Sequence, residues 1–372
     1  MKIGFDAFLL TGYFSGVEIC ISRLLERLAT IPFAHSLEIF MRSDHDLPRM
    51  PKNFAIHHFN VSDKLSRVFY QHFRVGRKAR DLGCDFLHCP GYVKGVSGSI
   101  PYILTVHDII ALQFPRLCTF FNRKHYSFFL PRSVKKASQV IVPSQCVKKD
   151  VLERFGLNDD RIHVVRPGVE EAFKPEPGDS EAVKAARRKY NLPAEYFLFV
   201  GNIEPKKNLP FLLHAYRILK NRRKDVPKLV VCGHPAWGYR EFREKVVRLK
   251  LSNSVHETGY VRRSDLPMVY GGATCFVFPS VYEGYGMPPL EALACGIPVI
   301  TSGAGALQES TGGIAVYVSL TDPGELADAM ENVLDDSELR DAYREKGPEW
   351  AGDNNWSRYA CETVEVYERM AL

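Results

Sequence analysis

Two glutamates, Glu283 and Glu291, stand with seven residues between them in the stretch FVFPSVYEGYGMPPLEALACGIPVIT at 276–301. Gly284, Tyr285, Gly286, Met287 and Pro288 lie between, on a loop that runs into a helix. Carboxylates accept hydrogen bonds from hydroxyls, and backbone N–H groups at a helix N-terminus attract phosphate. Together these parts suit a ligand carrying both a sugar and a diphosphate. Taken singly, each glutamate has a plainer reading: Glu291 favours the helix dipole from the first turn, and Glu283 is a solvated loop residue. A second group is Lys206-Lys207 in GNIEPKKN at 201–208. Two ammonium groups on a strand-to-helix loop neutralise a diphosphate as point charges, or are simply solvated at a turn. A third is His107-Asp108, which follows the apolar run PYILTV. A polar pair just past a buried strand stands where open α/β sheets hold ligands; Asp108 equally suits the cap of the next helix.

The elements that must position these residues can be read from pattern. Residues 275–278 form a strand apolar on both faces, ended by Pro279. Pro288 and Pro289 open a helix, Gly296 is its C′ residue, and 297–301 is the next strand, giving a βαβ unit. YFLFV at 196–200 is a strand, with a helix over 209–220 after the lysines. Further strands are predicted at 2–5, 37–41, 55–59, 85–89, 101–106, 139–142, 163–165, 228–232, 255–257 and 314–318. Helices are predicted at 68–82, 144–155, 182–190, 264–270, 323–334 and 337–346, with a last one after 355. Gly16 leads from a loop over 7–15 into an amphipathic helix carrying Val17, Ile21, Leu24, Leu25 and Leu28. Gly12 and Gly16 do not complete a dinucleotide fingerprint. Two successive strand–helix alternations imply an α/β fold with two parallel sheets, and the Pro- and Gly-bearing segment 173–180 marks a boundary between domains 1–170 and 171–355.

The string EGYGMPPLE resembles the Glu-seven-Glu motif of retaining glycosyltransferases of family 4, which have the GT-B fold: two Rossmann-like domains facing across a cleft. The resemblance spans nearly the whole chain. It implies that the second domain holds a nucleotide-diphosphate sugar, with Glu283 on sugar hydroxyls, Glu291 on the ribose diol, and Lys206 and Lys207 on the diphosphate. Asn202 stands where the family often has Arg. Gly16 matches the glycine loop that meets the donor diphosphate, although its neighbour is Ser15 rather than a second glycine. The backbone at Tyr260 and Val261 matches a base-contacting loop. His107 matches a histidine near the transferred sugar, in an acceptor-holding first domain, onto which the helix at 356–372 is expected to return. His107, Lys207 and Glu283 are thus the catalytic candidates. The form of these motifs most resembles enzymes that transfer mannose from GDP-mannose in surface-polysaccharide assembly, lipopolysaccharide among them. A UDP-hexose transferase, a sugar-nucleotide epimerase or a non-catalytic nucleotide-sugar binder on the same fold are the alternatives. No cofactor is implied beyond the donor.

Composition sets the outer limits. The 372 residues are 45% hydrophobic and 25% charged, ordinary for a globular protein of two or three domains. No apolar run reaches membrane-spanning length, and MKIGFDAFLL enters a strand without a cleavage site, so a cytoplasmic protein is expected. Nine scattered cysteines without a CxxC pair argue against disulfides or zinc. Asp44-His45-Asp46 has the spacing of a metal motif but lies in an early loop, so no metal site is expected. The net charge of +6 is uneven: 24 basic and 15 acidic residues up to position 170, then 25 and 28. Basic residues alternate with aromatics at 67–80 and 120–129. Such helices suit peripheral contact with an anionic inner-membrane surface, and equally an ordinary solvated basic face. No nucleic-acid recognition module is visible.

Overall fold

The computed structural model describes residues 1–12, 15–45, 47–61 and 63–371. The chain divides into two compact units, residues 1–168 with 356–372, and residues 169–355. Each is built around one parallel sheet.

The first unit carries β1 (Lys2–Asp6), β2 (Ser36–Arg42), β3 (Phe54–Phe59), β4 (Phe86–Cys89), β5 (Tyr102–Thr105), β6 (Gln139–Val142) and β7 (Ile162–Val164) in the order β3-β2-β1-β4-β5-β6-β7. The order reverses between β1 and β4, the place where such sheets open a crevice at the strands' carboxyl ends. β4 and β5 are buried throughout, which is why they read as continuous apolar runs. The helix Gln145–Phe155 starts and stops as its sequence dictates: Ser144 Oγ accepts from Val147 N, and Gly156 ends it in the left-handed region. The last helix, Trp356–Glu368, belongs to this unit. Its Tyr367 hydroxyl meets His88 Nδ1 at 2.7 Å beneath β4.

One predicted helix is corrected. The stretch 68–82 is not a single α-helix but Lys64–Tyr70, a π-helical turn Gln71–Val75, and Gly76–Asp81. The wider turn lets the His72 carbonyl accept from Ser97 N at 2.9 Å. The approach is close enough that a Cβ on Gly95 would sit 2.1 Å from the Gln71 oxygen. A tertiary backbone contact thus opens a helix that local propensity would have closed.

The second unit carries β8 (Tyr196–Val200), β9 (Lys228–Cys232), β10 (Val255–Gly259), β11 (Cys275–Phe278), β12 (Val299–Ser302) and β13 (Val316–Val318) in the order β10-β9-β8-β11-β12-β13. Phe199, Phe278 and Phe276 stack along its centre at 5.8 and 5.6 Å. Each fully buried ring of this kind contributes about 1.5–3 kcal/mol. A helix at Tyr239–Arg248 is added to those predicted; only Phe242 and Val246 of it are buried, a one-pair stripe easily lost among its charges. The order reverses between β8 and β11, so the loops after these two strands face each other. Those loops carry Lys206-Lys207 and Glu283.

Candidate active site

β8 ends at Val200, and a short 3-10 turn, Pro205–Lys207, presents both lysines before the helix Leu209–Arg222 begins. β11 ends at Phe278 and is followed by Pro279 and Ser280. The two loops are stitched together: Val281 N donates to the Lys206 carbonyl at 2.8 Å. Glu283 then lies 7% exposed between them. Its Oε1 accepts from Lys207 Nζ at 2.7 Å and from Ser280 Oγ at 2.6 Å, and Oε2 is 3.6 Å from Lys206 Nζ. Ser280 has one hydroxyl hydrogen, and Glu283 is its nearest acceptor. Burial by itself would raise the Glu283 pKa. The two ammonium groups and the hydrogen bonds from Lys207 and Ser280 outweigh it and hold the carboxyl at about 2.

Lys207 is equally enclosed, its ammonium 4.6 Å from the centre of the Phe278 ring. Burial lowers its pKa and Glu283 opposes that shift. Lys206 is looser. Its ammonium lies 3.8 Å from Glu204 and 3.6 Å from Glu283, both beyond good hydrogen-bond length. The structure therefore brings Lys206, Lys207 and Glu283 into one cluster. Asn202, on the same loop, is exposed.

Gly286 enters the helix Met287–Ala294 at φ 104°, with its α-carbon hydrogen facing Leu307. The two prolines refine the expected phosphate cradle. Pro288 and Pro289 pre-set the helix but have no N–H, so donors at this helix start come from Met287 and the loop before it. Gly284 and Gly286 are buried, and Met287 and Pro288 are half-buried. Tyr285 points into the unit's own core, where its hydroxyl donates to Asn354 Oδ1 at 3.1 Å.

Glu291 belongs to a separate network. It is 3% exposed, with Oε1 2.6 Å from Arg263 Nη1 and Oε2 accepting from the Tyr270 hydroxyl at 3.2 Å. Burial raises its pKa, and Arg263 opposes the rise. Tyr260 and Val261 follow β10; Tyr260 is partly exposed and stacks on His234 of the loop after β9, with ring centres 4.6 Å apart, while Val261 is buried.

In the first unit, Gly16 is exposed at the start of the helix Gly16–Leu28, which Ser15 caps. The Glu18 carboxylate, buried one turn on, accepts from the N–H groups of Thr11 and Gly12 and from Thr11 Oγ1. His107 follows β5. Its Nε2 is 2.8 Å from the Pro90 carbonyl, which can only accept, so that nitrogen carries the hydrogen and Nδ1 keeps its lone pair. Burial lowers the His107 pKa and keeps the ring neutral. Asp108 caps Ile110 N and accepts from the Tyr92 hydroxyl at 3.0 Å, so both its oxygens have structural partners. Tyr92 takes φ 69°, a conformation rare for a residue with a side chain.

Sequence reasoning missed Ser280, Arg263, Tyr270 and Glu18. Ser280 carried a signal, since a hydroxyl three residues before a loop carboxylate is well placed to bond it. Arg263 and Tyr270 carried none, because their partners lie far along the chain. Among the described residues no three His, Cys, Asp or Glu side chains cluster as a metal site; Asp46 of the early Asp-His-Asp spacing lies outside them. Among the described residues no helix is long and apolar enough to cross a membrane.

A Rossmann-like parallel sheet with lysines and a carboxylate at its reversal point is a place where α/β proteins bind anionic ligands, and comparison with known proteins gives the class. Residues 14–173 match the model for "Glycosyltransferase Family 4" and residues 183–350 that for "Glycosyl transferases group 1". The chain is 31% identical over 309 residues to a D-inositol 3-phosphate glycosyltransferase of Salinispora arenicola, covering 76% of this chain and 68% of that protein. It is 27% identical over 267 residues to the O-antigen chain mannosyltransferase B of Escherichia coli, covering 72% and 70%. Sucrose-phosphate synthase from Thermosynechococcus elongatus superposes with a TM-score of 0.79 at 20% identity over 100% of this chain and 99% of that one, which fixes the fold as GT-B. The chain belongs to the family 4 glycosyltransferases, and it is a hexosyltransferase by class.

Proposed function

We propose that this protein transfers mannose from GDP-mannose to a hydroxyl of a glycan or lipid-linked acceptor, with retention of anomeric configuration and without a metal ion. The observation that carries the reading is the Lys206–Lys207–Glu283 cluster at the β8/β11 reversal. Negative charge grows on the diphosphate as it leaves, and preformed positive charge in a water-poor site is worth most there. Lys207 is held by Glu283, and Lys206 adds a second ammonium beside it for a phosphate oxygen. Glu283 keeps lone pairs for sugar hydroxyls while remaining ionised. Neither glutamate acts as a covalent nucleophile; the departing phosphate oxygen takes the acceptor's proton. His107 serves through Nδ1, accepting a hydrogen bond from the transferred sugar. Glu291 receives the ribose diol, and Asn202 and the backbone at Tyr260, Val261 and 284–288 line the donor. The mannosyltransferase relative supports the choice of sugar.

The acceptor side brings a second element. Phe69, Phe73, Phe120, Phe121 and Phe128 are exposed on helices that pack together where His72 meets Phe129 at 4.4 Å. Arg132 lies 3.7 Å over the Phe128 ring, and Arg123 and Lys124 flank Phe120. No Asp or Glu occurs between Asp63 and Asp81, or between Asp108 and Asp150. Such a face complements an anionic bilayer, and we assign it peripheral contact with the cytoplasmic membrane surface.

A thermal-shift comparison of GDP with UDP, followed by incubation of GDP-mannose with candidate acceptors, tests the donor. Stabilisation by UDP alone removes the mannose reading in favour of a UDP-hexose. Interconversion of the sugar nucleotide without acceptor makes the protein an epimerase. Sedimentation with vesicles tests the surface: binding that requires anionic lipid and is lost in a Phe120→Ser/Phe128→Ser variant supports it, and binding indifferent to either refutes it.

A further inference from the structure

Arg263 is the centre of a buried acid–base–acid chain. Nη1 is 2.6 Å from Glu291 Oε1, Nε is 2.9 Å from Glu170 Oε1, and the guanidinium lies 4.5 Å from the Phe173 ring centre. Its side chain is 14% exposed, and the remaining Nη2 is buried with no hydrogen-bond partner. Such a group is rare unless strained or awaiting a ligand. The three charges come from distant places: Glu170 from the segment where the chain enters the second unit, Arg263 from the loop after β10, and Glu291 from the helix after β11. No local pattern requires an arginine at 263. A solvated loop residue would not be expected to hold two carboxylates at these distances.

We propose that Arg263 is a positioning residue that keeps the Glu291 carboxylate ionised and aimed at the nucleotide's ribose, and that its unpaired Nη2 supplies a donor to a ribose hydroxyl oxygen. This rests on the ribose-binding role given to Glu291 above. A cis-diol donates two hydrogens, and an ionised carboxylate accepts on both oxygens, whereas protonation turns one of them into a donor. At 3% exposure an unaccompanied carboxylate takes up a proton instead. The groups facing Glu291 are few. Tyr270, on the helix Leu266–Gly271, gives a neutral hydrogen bond. Cys295, at the end of Glu291's own helix, is a thiol whose pKa is pushed well up by burial and by Glu291. Glu170, beyond Arg263, acts in the sense of protonating Glu291. Among the described residues Arg263 is the cation that pairs with Glu291, and burial by itself favours the protonated acid.

Calorimetric titration of the full chain with GDP and with UDP between pH 5.5 and 8.5 tests this on whichever nucleotide binds. In the native protein affinity stays flat across the neutral range. Arg263→Gln lets Glu291 protonate, so affinity falls by at least tenfold at pH 6 and recovers as pH rises, by up to tenfold per pH unit. Arg263→Lys keeps the charge, loses less and stays flat. Glu170→Gln removes the competing carboxylate and extends binding to lower pH. A 2′,3′-dideoxy nucleotide, lacking the diol, erases the difference between native protein and Arg263→Gln. A loss of equal size at every pH, or one shared by the dideoxy nucleotide, makes Arg263 merely structural and overturns the proposal. Glu291→Gln separates the two layers: unchanged affinity in that variant sinks the ribose reading itself, whereas weakened affinity beside a normal Arg263→Gln sinks only the role of Arg263. Should Arg263→Gln fail to fold, the flat pH profile expected of Arg263→Lys and the extension to lower pH expected of Glu170→Gln decide the matter, and the absence of that extension overturns the proposal.

Discussion

Replacing Lys207 by Met removes a buried charge while keeping the stem's volume over Phe278. Two effects follow, and their magnitudes come from the geometry. Glu283 sits at about 2 against an ordinary 4.5, which at about 1.4 kcal/mol per tenfold amounts to roughly 3 kcal/mol of folded-state preference for the carboxylate. That contribution is fully present above pH 4.5 and disappears as pH falls towards 2, the sign for a depressed acid. Lys207 is shifted the opposite way by burial and gives part of it back, so the figure is an upper bound for the pair. In the variant Glu283 keeps Ser280 and the more distant Lys206, so its carboxyl titrates higher and the acid limb of the stability curve moves to higher pH. Turnover falls by about 10² to 10³, the range for losing one preorganised donor to developing charge. The assay is steady-state release of nucleoside diphosphate at saturating donor and acceptor, beside calorimetric affinity for the nucleotide and urea unfolding between pH 3 and 7. Near-normal kcat with an unmoved acid limb would refute the cluster as both catalytic device and ion pair. A raised donor KM and weaker nucleotide affinity with kcat unchanged would leave Lys207 as a binding residue only.

Three further outcomes follow from individual contacts. Gly286→Ala places a Cβ 2.7 Å from Leu307 Cδ2 at φ 104°, so unfolding experiments should find a loss of about 1–3 kcal/mol from crowding, with further strain from the left-handed backbone. Tyr367→Phe removes the hydroxyl that meets His88 Nδ1, leaving a buried ring nitrogen unpaired; the cost should be about 1–3 kcal/mol in urea unfolding without change in nucleotide affinity. Ser280→Ala takes one hydrogen bond from Glu283 but leaves both lysines, so turnover should fall well short of the Lys207→Met loss, as initial rates will measure.

Both sheets were legible because their central strands are buried on both faces and so stand out as apolar runs with sharp Pro and Gly ends, as at 275–279. The helix starting at Ser144 and ending at Gly156 was legible to the residue, because caps are chemistry carried in the sequence. The π-turn at 71–75 was not, since its cause is a glycine loop twenty residues away pressing on the backbone. Nor was the helix Tyr239–Arg248, whose apolar stripe is a single Phe–Val pair.

The site divides along the same line. That Glu283 and Glu291 flank a Gly-bearing loop is a fact of spacing, and spacing survives folding. Their partners are facts of topology: the β8/β11 reversal brings Lys207 to Glu283 across 76 positions, and the loop after β10 brings Arg263 to Glu291. Two carboxylates that look alike in sequence therefore acquire opposite tendencies. Glu283, gripped by two ammonium groups and a hydroxyl, is driven towards ionisation, whereas Glu291 is buried deeply enough that one guanidinium only partly offsets desolvation. A carboxylate whose charge is secured suits a fixed place beside a leaving diphosphate. One whose charge hangs on a single arginine suits a contact that is made and released as nucleotide comes and goes.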